Sequence, residues 1–533
     1  MTRQSERTEG LPISPSGETP LTMTDEFRTA LALLEKGTGN LFITGRAGTG
    51  KSTLLQYFRS TTSKNIAVLA PTGVAAINVR GQTIHSFFGF KPNITMEGVK
   101  KKRGESLKLY KKLEAVVIDE ISMVRADLFD ALARFLELNG RKPGLPFGGV
   151  QIILFGYLYQ LPPVVRRAEE DLFRHHYESP YFFSAKSFSS LSIQWIELTR
   201  VFRQTDSDFL DLLNRIRKQT ITDSELARIN TQMIDTREGS HREGMITLTT
   251  TKRQAEEVNL SQLERLRGKK EIFQASVEGN FDESSYPTEA ELTLKEGAQI
   301  MLLNNDSLGR WVNGTIARIK KIDAKEERLT VIMPDHCEEE VVPYKWDLFH
   351  FTVDSKSGRV VPVSVGTFTQ MPVRLAWAIT IHKSQGLTFD RAVIDLTHRT
   401  FAHGQLYVAI SRLRTLDGLF LTHPIKKTDI FLDRRIQKFI TTHQYVQSEN
   451  ALPLEQKMAF LQQAIREGFA IQMVYLKSSD EKTTRTILPI RVGEMVFADK
   501  TFPGLTAYCN SRKEERTFNV TRILEMKQVD RPF

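Results

Sequence analysis

The sequence predicts an α/β protein of several domains, and three observations support this prediction. A short apolar run, "NLFITG", leads directly into a glycine-rich turn and then into a helical pattern. Further apolar runs, "IAVLA", "AVVID" and "VQIILFG", alternate with helical segments, as parallel strands and crossover helices do. A chain of 533 residues is also too long for one ordinary core. We therefore expect parallel sheets covered by helices, with the first α/β domain at residues 22–203.

Changes of pattern along the chain predict the remaining boundaries. Residues 1–21 are polar, and we expect a disordered leader there. A second α/β domain is predicted for residues 204–440, interrupted at about 309–370 by alternating β-type segments such as "RLTVIMP". A polar linker at residues 441–453 precedes a C-terminal domain at residues 454–533.

Composition argues against a membrane protein and against a disulfide-rich one. The chain is 40% hydrophobic and 26% charged, and no apolar run approaches the roughly 18 residues that a membrane span needs. Its two cysteines, Cys337 and Cys509, lack the spacing of a metal site or a disulfide framework. The sequence therefore predicts a cytoplasmic protein with no membrane partner.

A net charge of +10 suggests a polyanionic partner, but the clustering of charge is more informative than its sum. The tract "KKKRGESLKLYKK", from Lys100 to Lys112, surrounds one aromatic residue, Tyr110. Such a tract suits a phosphate backbone and a stacked base. An ordinary solvated surface explains the tract alone equally well, so both interpretations stay open at this point.

The segment "GRAGTGKS" fits the phosphate-binding pattern G-x-x-x-x-G-K-[ST] and lies between a predicted strand and a predicted helix. Its glycines allow successive backbone N–H groups to face phosphate oxygens, while Lys51 reaches the β and γ phosphates and Ser52 holds Mg²⁺. The predicted nucleotide-binding residues of this loop are Gly45, Ala47, Gly48, Thr49, Gly50, Lys51, Ser52 and Thr53.

The second half of such a site is an apolar strand that ends in acids, and "AVVIDEIS" supplies it with Asp119 and Glu120. Asp119 is placed to bind Mg²⁺ through a water molecule. Glu120 can take a proton from the water that attacks the γ-phosphate. The sequence therefore predicts hydrolysis of a nucleoside triphosphate with Mg²⁺ as a cofactor.

Taken together, the motifs of residues 25–425 resemble the Pif-type DNA helicases of superfamily 1B, which are related to RecD. Beyond the phosphate loop and acidic strand, the match rests on "APTGVAAINVRGQTIHSFF", "PFGGVQIIL", "ELTRVFRQ", "WAITIHKSQGLTFD" and "GQLYVAISRLR", in the family's order. The resemblance implies two RecA-like domains with ATP between them. It also implies 5′-to-3′ movement along single-stranded DNA.

The resemblance extends to individual site residues. It implies that Gln160 contacts the γ-phosphate or the attacking water, and that Arg203 and Arg412 reach the γ-phosphate as arginine fingers. It assigns Gln385 and Gly386 to the nucleotide. The implied contacts to DNA phosphates and sugars are Thr72, His85, Lys101, Lys102, His382, Lys383 and Ser384. For His85, packing in the core beside two phenylalanines remains an alternative.

Two insertions and a C-terminal module complete the resemblance. Residues 90–112 match the position of the family's strand-separating wedge, and residues 309–370 match that of an SH3-like β-barrel. The C-terminal segments, among them "AIREGFAIQMVYL" and "RTILPIRV", resemble a WYL domain, which has a small Sm-like fold. Candidate ligand-groove residues there are Tyr475, Arg485, Tyr508, Arg512 and Arg516. The tyrosines as core residues and the arginines as solvated residues remain the alternative.

The chain departs from the family pattern at two places. No glutamine precedes the first strand, where the family reads adenine, so selectivity for ATP over other nucleotides is not predicted. In "GYLYQLPP", Tyr157 takes the place of the aspartate of G-D-x-x-Q-L-P-P. A phenol with an ordinary pKa is neutral and bulkier than a carboxylate, and we expect it to weaken Mg²⁺ handling or closure of the cleft.

The leading hypothesis is an ATP-dependent DNA helicase that acts as a monomer on single-stranded DNA and DNA junctions, in replication, repair or recombination. The alternative is a DNA-stimulated ATPase that acts as a clamp or remodeller without processive unwinding. A P-loop kinase or GTPase is disfavoured because neither uses the second-domain arginines or the "HKSQG" segment.

Overall fold

The computed structural model describes residues 23–37, 39–165, 167–204, 206–234, 244–400, 402–477, 482–497 and 500–529. The chain divides into two compact units. The first comprises Met1–Arg217 and Ile221–Phe431, and the second comprises Lys218–Thr220 and Leu432–Phe533. The predicted leader, residues 1–21, lies outside the described residues. No helix of the described part of the chain is long and apolar enough to cross a bilayer.

The first α/β domain is built on a parallel sheet. Its strands are β1 (Asn40–Gly45), β2 (Ile66–Ala70), β3 (Gln82–Thr83), β4 (Ala115–Ile118), β5 (Gln151–Phe155) and β6 (Ile193–Leu198). Its helices are α1 (Asp25–Lys36), α2 (Lys51–Thr61), α3 (Gly73–Asn78), α4 (Ile84–Phe88), α5 (Glu105–Lys112), α6 (Ala126–Asn139) and α7 (Arg167–His176). The strand order is β3-β2-β4-β5-β1-β6. Every residue of β2, β4 and β5 is buried, as expected for parallel strands covered on both faces.

The second α/β domain also has a parallel sheet. It contains α8 (Ser207–Arg217), α9 (Asp223–Asn230), β7 (Ile246–Thr249), α10 (Lys252–Arg265), β18 (Ala378–Thr380), β19 (Ala392–Asp395), α11 (Gln405–Ile410) and β20 (Leu419–Leu421). The strands run in the order β18-β7-β19-β20, and every described pairing in this sheet is parallel. The prediction of two α/β domains is confirmed.

A β-rich insertion separates β7 and α10 from β18. Its strands are β8 (Glu271–Gln274), β9 (Ser276–Gly279), β10 (Glu291–Leu294), β11 (Gln299–Leu302), β12 (Ile316–Asp323), β13 (Arg328–Ile332), β14 (Glu338–Val341), β15 (Tyr344–Val353), β16 (Val360–Gln370) and β17 (Val373–Leu375). They form antiparallel sheets, β14-β13-β12-β11-β17, β15-β16-β9 and β10-β8. The predicted start of the insertion near residue 309 is therefore wrong. The strands that precede residue 309, β8 to β11, have four residues each and are too short to show an alternating pattern in the sequence.

The second unit is an antiparallel sheet with two helices. Its elements are α12 (Arg434–Ala451), α13 (Leu454–Glu467), β21 (Ala470–Leu476), β22 (Lys482–Phe497), β23 (Lys500–Cys509), β24 (Glu514–Asn519) and β25 (Ile523–Val529). The strand order is β24-β23-β22-β21-β25. Residues 441–453 were predicted as a linker, but most of them lie in helix α12. Ser448 of that helix donates its hydroxyl proton to the carbonyl oxygens of Ile523 and Leu524, 3.1 and 2.9 Å away.

Candidate active site

The glycine-rich loop joins β1 to α2 and packs closely against the segment that follows β6. Gly48 and Gly50 have φ angles of 80° and 86°, which other residues rarely adopt. A Cβ atom on Gly48 would lie 2.5 Å from Cβ of Arg203. The glycines therefore let Arg203 approach the loop that is predicted to hold the phosphates.

The side chain of Lys51 folds back over this loop. Its Nζ donates hydrogen bonds to the carbonyl oxygens of Gly45 and Arg46, at 2.7 and 3.0 Å. Burial lowers the pKa of Lys51 to about 8, and the nearby carboxylates of Glu120 and Asp119 oppose that shift. Lys51 is half-buried, and phosphate oxygens can replace the two carbonyl oxygens as acceptors of its ammonium group.

The two acids that follow β4 stand beside Lys51. Burial, with the neighbouring Glu120, raises the pKa of Asp119 to about 7, and burial also raises the pKa of Glu120. Glu120 has φ 50° and ψ 44°, a strained conformation of the kind that concentrates at active sites. The oxygen donors of Asp119 and of Ser52, at the start of α2, are the type that Mg²⁺ prefers.

One glutamine of the second α/β domain contacts the acidic group directly. Gln385 Nε2 donates to Glu120 Oε2 at 3.0 Å and lies 3.4 Å from Gln160 Oε1. Gln160 follows β5 and is 5% exposed. The structure therefore brings together Lys51, Glu120, Gln160 and Gln385, which the sequence predicts for one nucleotide site.

The two predicted arginine fingers also meet at the cleft between the α/β domains. Arg203 follows β6 of the first domain, and its guanidinium donates to the carbonyl oxygens of Ser411 and Gly386 in the second domain, at 3.4 and 3.2 Å. Arg412 is 1% exposed. Burial, with the nearby Arg203, lowers the pKa of Arg412 to about 9. The backbone of Arg203 packs on the phosphate loop of the first domain, so its side chain reaches across the cleft from that domain.

Tyr157 lies deep in the same cleft, with 4% of its surface exposed. Burial raises the pKa of its phenol, so the side chain is neutral at physiological pH, as the sequence predicts. Its hydroxyl accepts a hydrogen bond from Arg217, and its ring centre lies 5.8 Å from Lys51 Nζ.

The predicted DNA contacts of the first domain lie on short helices. Thr72 is exposed at the N-terminus of α3, where its hydroxyl oxygen accepts from the backbone N–H of Ala75 at 3.3 Å. His85 in α4 is half-buried, and burial lowers its pKa. Lys101 is exposed, while Lys102 is half-buried and its backbone N–H donates to Asn139 Oδ1 at 2.7 Å.

The predicted stacking role of Tyr110 is wrong. This residue is 5% exposed, and its ring packs among Phe87, Phe88 and Phe135 with centroid separations of 4.7 to 6.3 Å. Its hydroxyl donates to the carbonyl oxygen of Phe87. The lysines around it face solvent because α5 is amphipathic.

The predicted contacts of the second domain lie in the turn after β18. Lys383 is exposed and His382 is half-buried, and burial lowers the pKa of His382. Ser384, in contrast, is fully buried, and its hydroxyl donates to the carbonyl oxygen of Ile381 at 2.8 Å. The structure gives Ser384 a role in shaping this turn, so its predicted contact with DNA is wrong for this conformation.

The five groove residues predicted in the second unit do not share one surface. Arg485 pairs with Met473 and Arg516 pairs with Ala507, both on the face that carries the core. Tyr508 immediately follows Ala507 on β23 and therefore points to the opposite face. Tyr475 packs edge-on against Phe518 with ring centroids 5.3 Å apart. Arg512 is exposed in the turn between β23 and β24.

Sequence reasoning missed one aromatic residue beside the phosphate loop. Phe202 is 47% exposed, its backbone N–H donates to the carbonyl oxygen of Gly48 at 2.8 Å, and the guanidinium of Arg200 lies 5.1 Å from its ring centre. An exposed ring held at the loop offers a stacking surface for a nucleotide base. The sequence does carry a signal for this residue, because Phe202 directly precedes Arg203, a predicted arginine finger.

Two regions of the chain are similar to known protein families. Residues 24–227 match the family model of the PIF1-like helicases, and residues 456–528 match that of the WYL domain. The ATP-dependent DNA helicase Pif1 of Bdellovibrio bacteriovorus is 32% identical over 407 residues, which cover 75% of this chain and 87% of that protein.

Two solved structures of Pif1 from Bacteroides are similar to the chain in different degrees. The complex with ADP-AlF4 has a TM-score of 0.73 at 36% identity, covering 79% of this chain and 97% of that one. The complex with single-stranded DNA has a TM-score of 0.57 at 37% identity, covering 79% and 96%. The unliganded Bacteroides protein has a TM-score of 0.72, so the present arrangement is closer to the structures without DNA than to the complex with DNA.

Proposed function

The chain belongs to the PIF1-like helicase family, and we propose that it couples ATP hydrolysis to 5′-to-3′ movement along single-stranded DNA and to unwinding of duplex DNA. Its two α/β domains are RecA-like, and a WYL domain follows them. The proposal includes DNA junctions as substrates, since a relative has been solved on forked DNA.

The observation that carries the proposal is the contact of Gln385 with Glu120 across the cleft at 3.0 Å. Glu120 is the candidate base for the attacking water, so a side chain of the second domain touches the group that performs hydrolysis in the first. Arg203 bridges the same cleft. A site assembled from both domains is complete only when they are close together, and this links ATP turnover to opening and closing.

We assign Mg²⁺ to the hydroxyl of Ser52 and, through a water molecule, to Asp119. When bound, the ion neutralises charge on the β and γ phosphates. Lys51 orients the phosphates, Glu120 accepts the proton of the attacking water, and Gln160 holds that water in line. Arg412 stabilises charge that develops on the γ-phosphate.

DNA contacts are assigned to Thr72, His85, Lys101, His382 and Lys383. Their hydroxyl, imidazole and ammonium groups suit phosphate and sugar oxygens rather than base edges, so binding independent of sequence is expected. The finer parts of the proposal are a wedge at residues 90–112 and an SH3-like role for the β-rich insertion.

A strand-displacement assay tests the function. On a duplex with a 5′ single-stranded tail, the protein is expected to separate the strands with Mg²⁺ and ATP but not with a non-hydrolysable analogue. A duplex with a 3′ tail is the polarity control. Glu120→Gln keeps the shape of the site without a base and is expected to lower DNA-stimulated ATPase activity by about 10² or more.

The same assay decides between the helicase and the clamp. Strong DNA-stimulated hydrolysis without displacement of any tailed duplex would support the clamp or remodeller. Turnover that is independent of DNA and unaffected by Arg412→Ala would contradict both.

A further inference from the structure

Arg217, the last residue of α8, is a buried cation with an unusual set of partners. It is 9% exposed. Its Nη1 donates to the hydroxyl of Tyr157, and its guanidinium lies 4.7 Å from the ring centre of Tyr159. Within the described residues, its Nε has no hydrogen-bond partner. Burial lowers the pKa of Arg217, but the neighbouring Tyr157, Tyr159 and Tyr407 together raise it above its ordinary value.

Buried cations are normally paired with a carboxylate, because leaving water without compensation is costly. Here the phenol of Tyr157 is neutral, since burial raises its pKa. The hydrogen bond of Arg217 therefore ends on a neutral oxygen, and aromatic faces supply the rest of its stabilisation. Because burying the guanidinium of Arg217 in the cleft costs desolvation free energy, we expect this side chain to do more than fill space.

The other side of Tyr157 faces the phosphate loop. Its ring centre lies 5.8 Å from Nζ of Lys51 and 6.2 Å from the ring centre of Tyr407 in α11. Tyr157 belongs to the first RecA-like domain, whereas Arg217 and Tyr407 belong to the second. A chain of contacts thus runs from α8 through Tyr157 to the lysine that orients the phosphates.

We propose that Arg217 is a positioning residue for ATP hydrolysis that acts through Tyr157 on Lys51. By holding the phenol, it keeps the ring against the lysine and ties the second domain to the phosphate loop. Opening the cleft breaks this bond and exposes the guanidinium to water. The inference rests on the proposed ATPase function and adds a contact through which domain closure sets the position of Lys51.

The inference also explains what the tyrosine changes. An aspartate at position 157, the usual residue of the family pattern, is a charged acceptor, and a carboxylate can accept two parallel hydrogen bonds from one guanidinium. Tyrosine instead offers Arg217 a hydrogen bond to a neutral oxygen, together with contacts to the aromatic ring. The contact between the two RecA-like domains is therefore weaker with tyrosine than with aspartate, and the cleft opens more readily.

A double-mutant cycle on the full chain tests the proposal. Tyr157→Phe removes the hydroxyl and keeps the ring, and Arg217→Gln removes the cation. Each is expected to lower kcat for DNA-stimulated ATP hydrolysis about fivefold, and the double variant is expected to be no worse than either, because both break one chain of contacts. Arg217→Lys, which keeps the charge, is expected to recover part of the loss.

Arg215→Gln is the matched control. Arg215 lies on the same helix, is 48% exposed and pairs with Glu225 at 2.5 Å, so its loss is expected to leave kcat unchanged. Melting temperatures of all variants separate folding from catalysis, and Tyr157→Phe is conservative enough to fold in any case. The proposal would be overturned if the two losses in kcat multiply in the double variant, or if Tyr157→Phe leaves kcat unchanged.

A last arm uses Tyr157→Asp. It is expected to raise DNA-stimulated ATPase activity in the presence of Arg217 and to lose that gain in the Arg217→Gln background. An equal gain in both backgrounds would show that the aspartate acts elsewhere. If the unaltered protein shows no DNA-stimulated ATPase activity, the proposed function itself fails. If the unaltered protein is active but the losses in kcat multiply in the double variant, only the proposal about Arg217 fails.

Discussion

At the scale of single residues, Phe202 offers a way to bind a base without the adenine-reading glutamine that this chain lacks. Its exposed ring is fixed beside Gly48 by the backbone hydrogen bond at 2.8 Å. Stacking of a base on an aromatic ring contributes about 1–3 kcal/mol and tolerates any base. We expect Phe202→Ala to raise KM for ATP about tenfold with little change in kcat.

Steady-state kinetics with ATP and GTP check this prediction, with Phe202→Tyr as the control that keeps a ring. The rise in KM is expected to be similar for both nucleotides, because stacking does not distinguish them. An unaltered KM in Phe202→Ala, or a loss confined to ATP, would show that the base is held by other groups.

The positions of residues in a local motif could be predicted from the sequence, and positions that depend on tertiary packing could not. Lys51, Asp119 and Glu120 sit where a strand meets a loop, so their neighbours in sequence are also their neighbours in space. Tyr110 and Ser384 carry polar groups that suit DNA, but the tertiary fold buries them. Burial of a short amphipathic helix or of one turn depends on distant segments that no local pattern reveals.

At the scale of elements, the hairpin of β15 and β16 packs on the first RecA-like domain. The backbone N–H of Phe351 donates to Gln82 Oε1 at 3.2 Å, and His350 Nε2 lies 3.1 Å from Ser86 Oγ. The ring of Phe351 contacts that of Phe87 at 5.9 Å. These partners flank His85, a candidate DNA contact, so the docked hairpin lies beside the surface that is proposed to bind DNA.

We expect the docked hairpin to compete with DNA. The arrangement of the chain is less similar to a relative's complex with single-stranded DNA than to the same relative's complex with ADP-AlF4. Phe351→Ala removes the ring contact with Phe87 and is expected to raise affinity for a single-stranded oligonucleotide about threefold, because less free energy is spent on undocking. Fluorescence anisotropy without nucleotide measures this affinity.

Thr352→Ala is the control, since Thr352 is exposed next to Phe351 on the same strand. Weaker binding by Phe351→Ala would instead mean that the hairpin helps to enclose the strand. The sequence predicted β structure here but not the docking, because alternation along a strand shows which side chains share a face and not what that face meets.

At the scale of the whole molecule, the boundary between the two compact units lies after Phe431, earlier than the pattern of the sequence suggests. Helix α12 belongs to the second unit, where Lys457 Nζ donates to Ser448 Oγ at 2.8 Å and Ser448 in turn bonds to β25. The polar composition of residues 441–453 resembles a linker because only Ile436 and Ser448 of this helix are buried. Only the long-range bonds of Ser448 show that it is part of a domain.

This boundary defines a deletion that tests whether the C-terminal domain supports DNA binding. Deleting residues 432–533 removes the second unit apart from Lys218–Thr220 and is expected to leave basal ATPase activity and melting temperature close to those of the full chain. Deleting residues 446–533 cuts through α12 and leaves a helical stub without β25, so a less soluble protein is expected. In both truncated proteins, we expect weaker binding of single-stranded DNA and less stimulation of ATPase by DNA. Anisotropy and ATPase titrations with the same oligonucleotide measure these two quantities, and values equal to those of the full chain would show that the WYL domain serves another purpose.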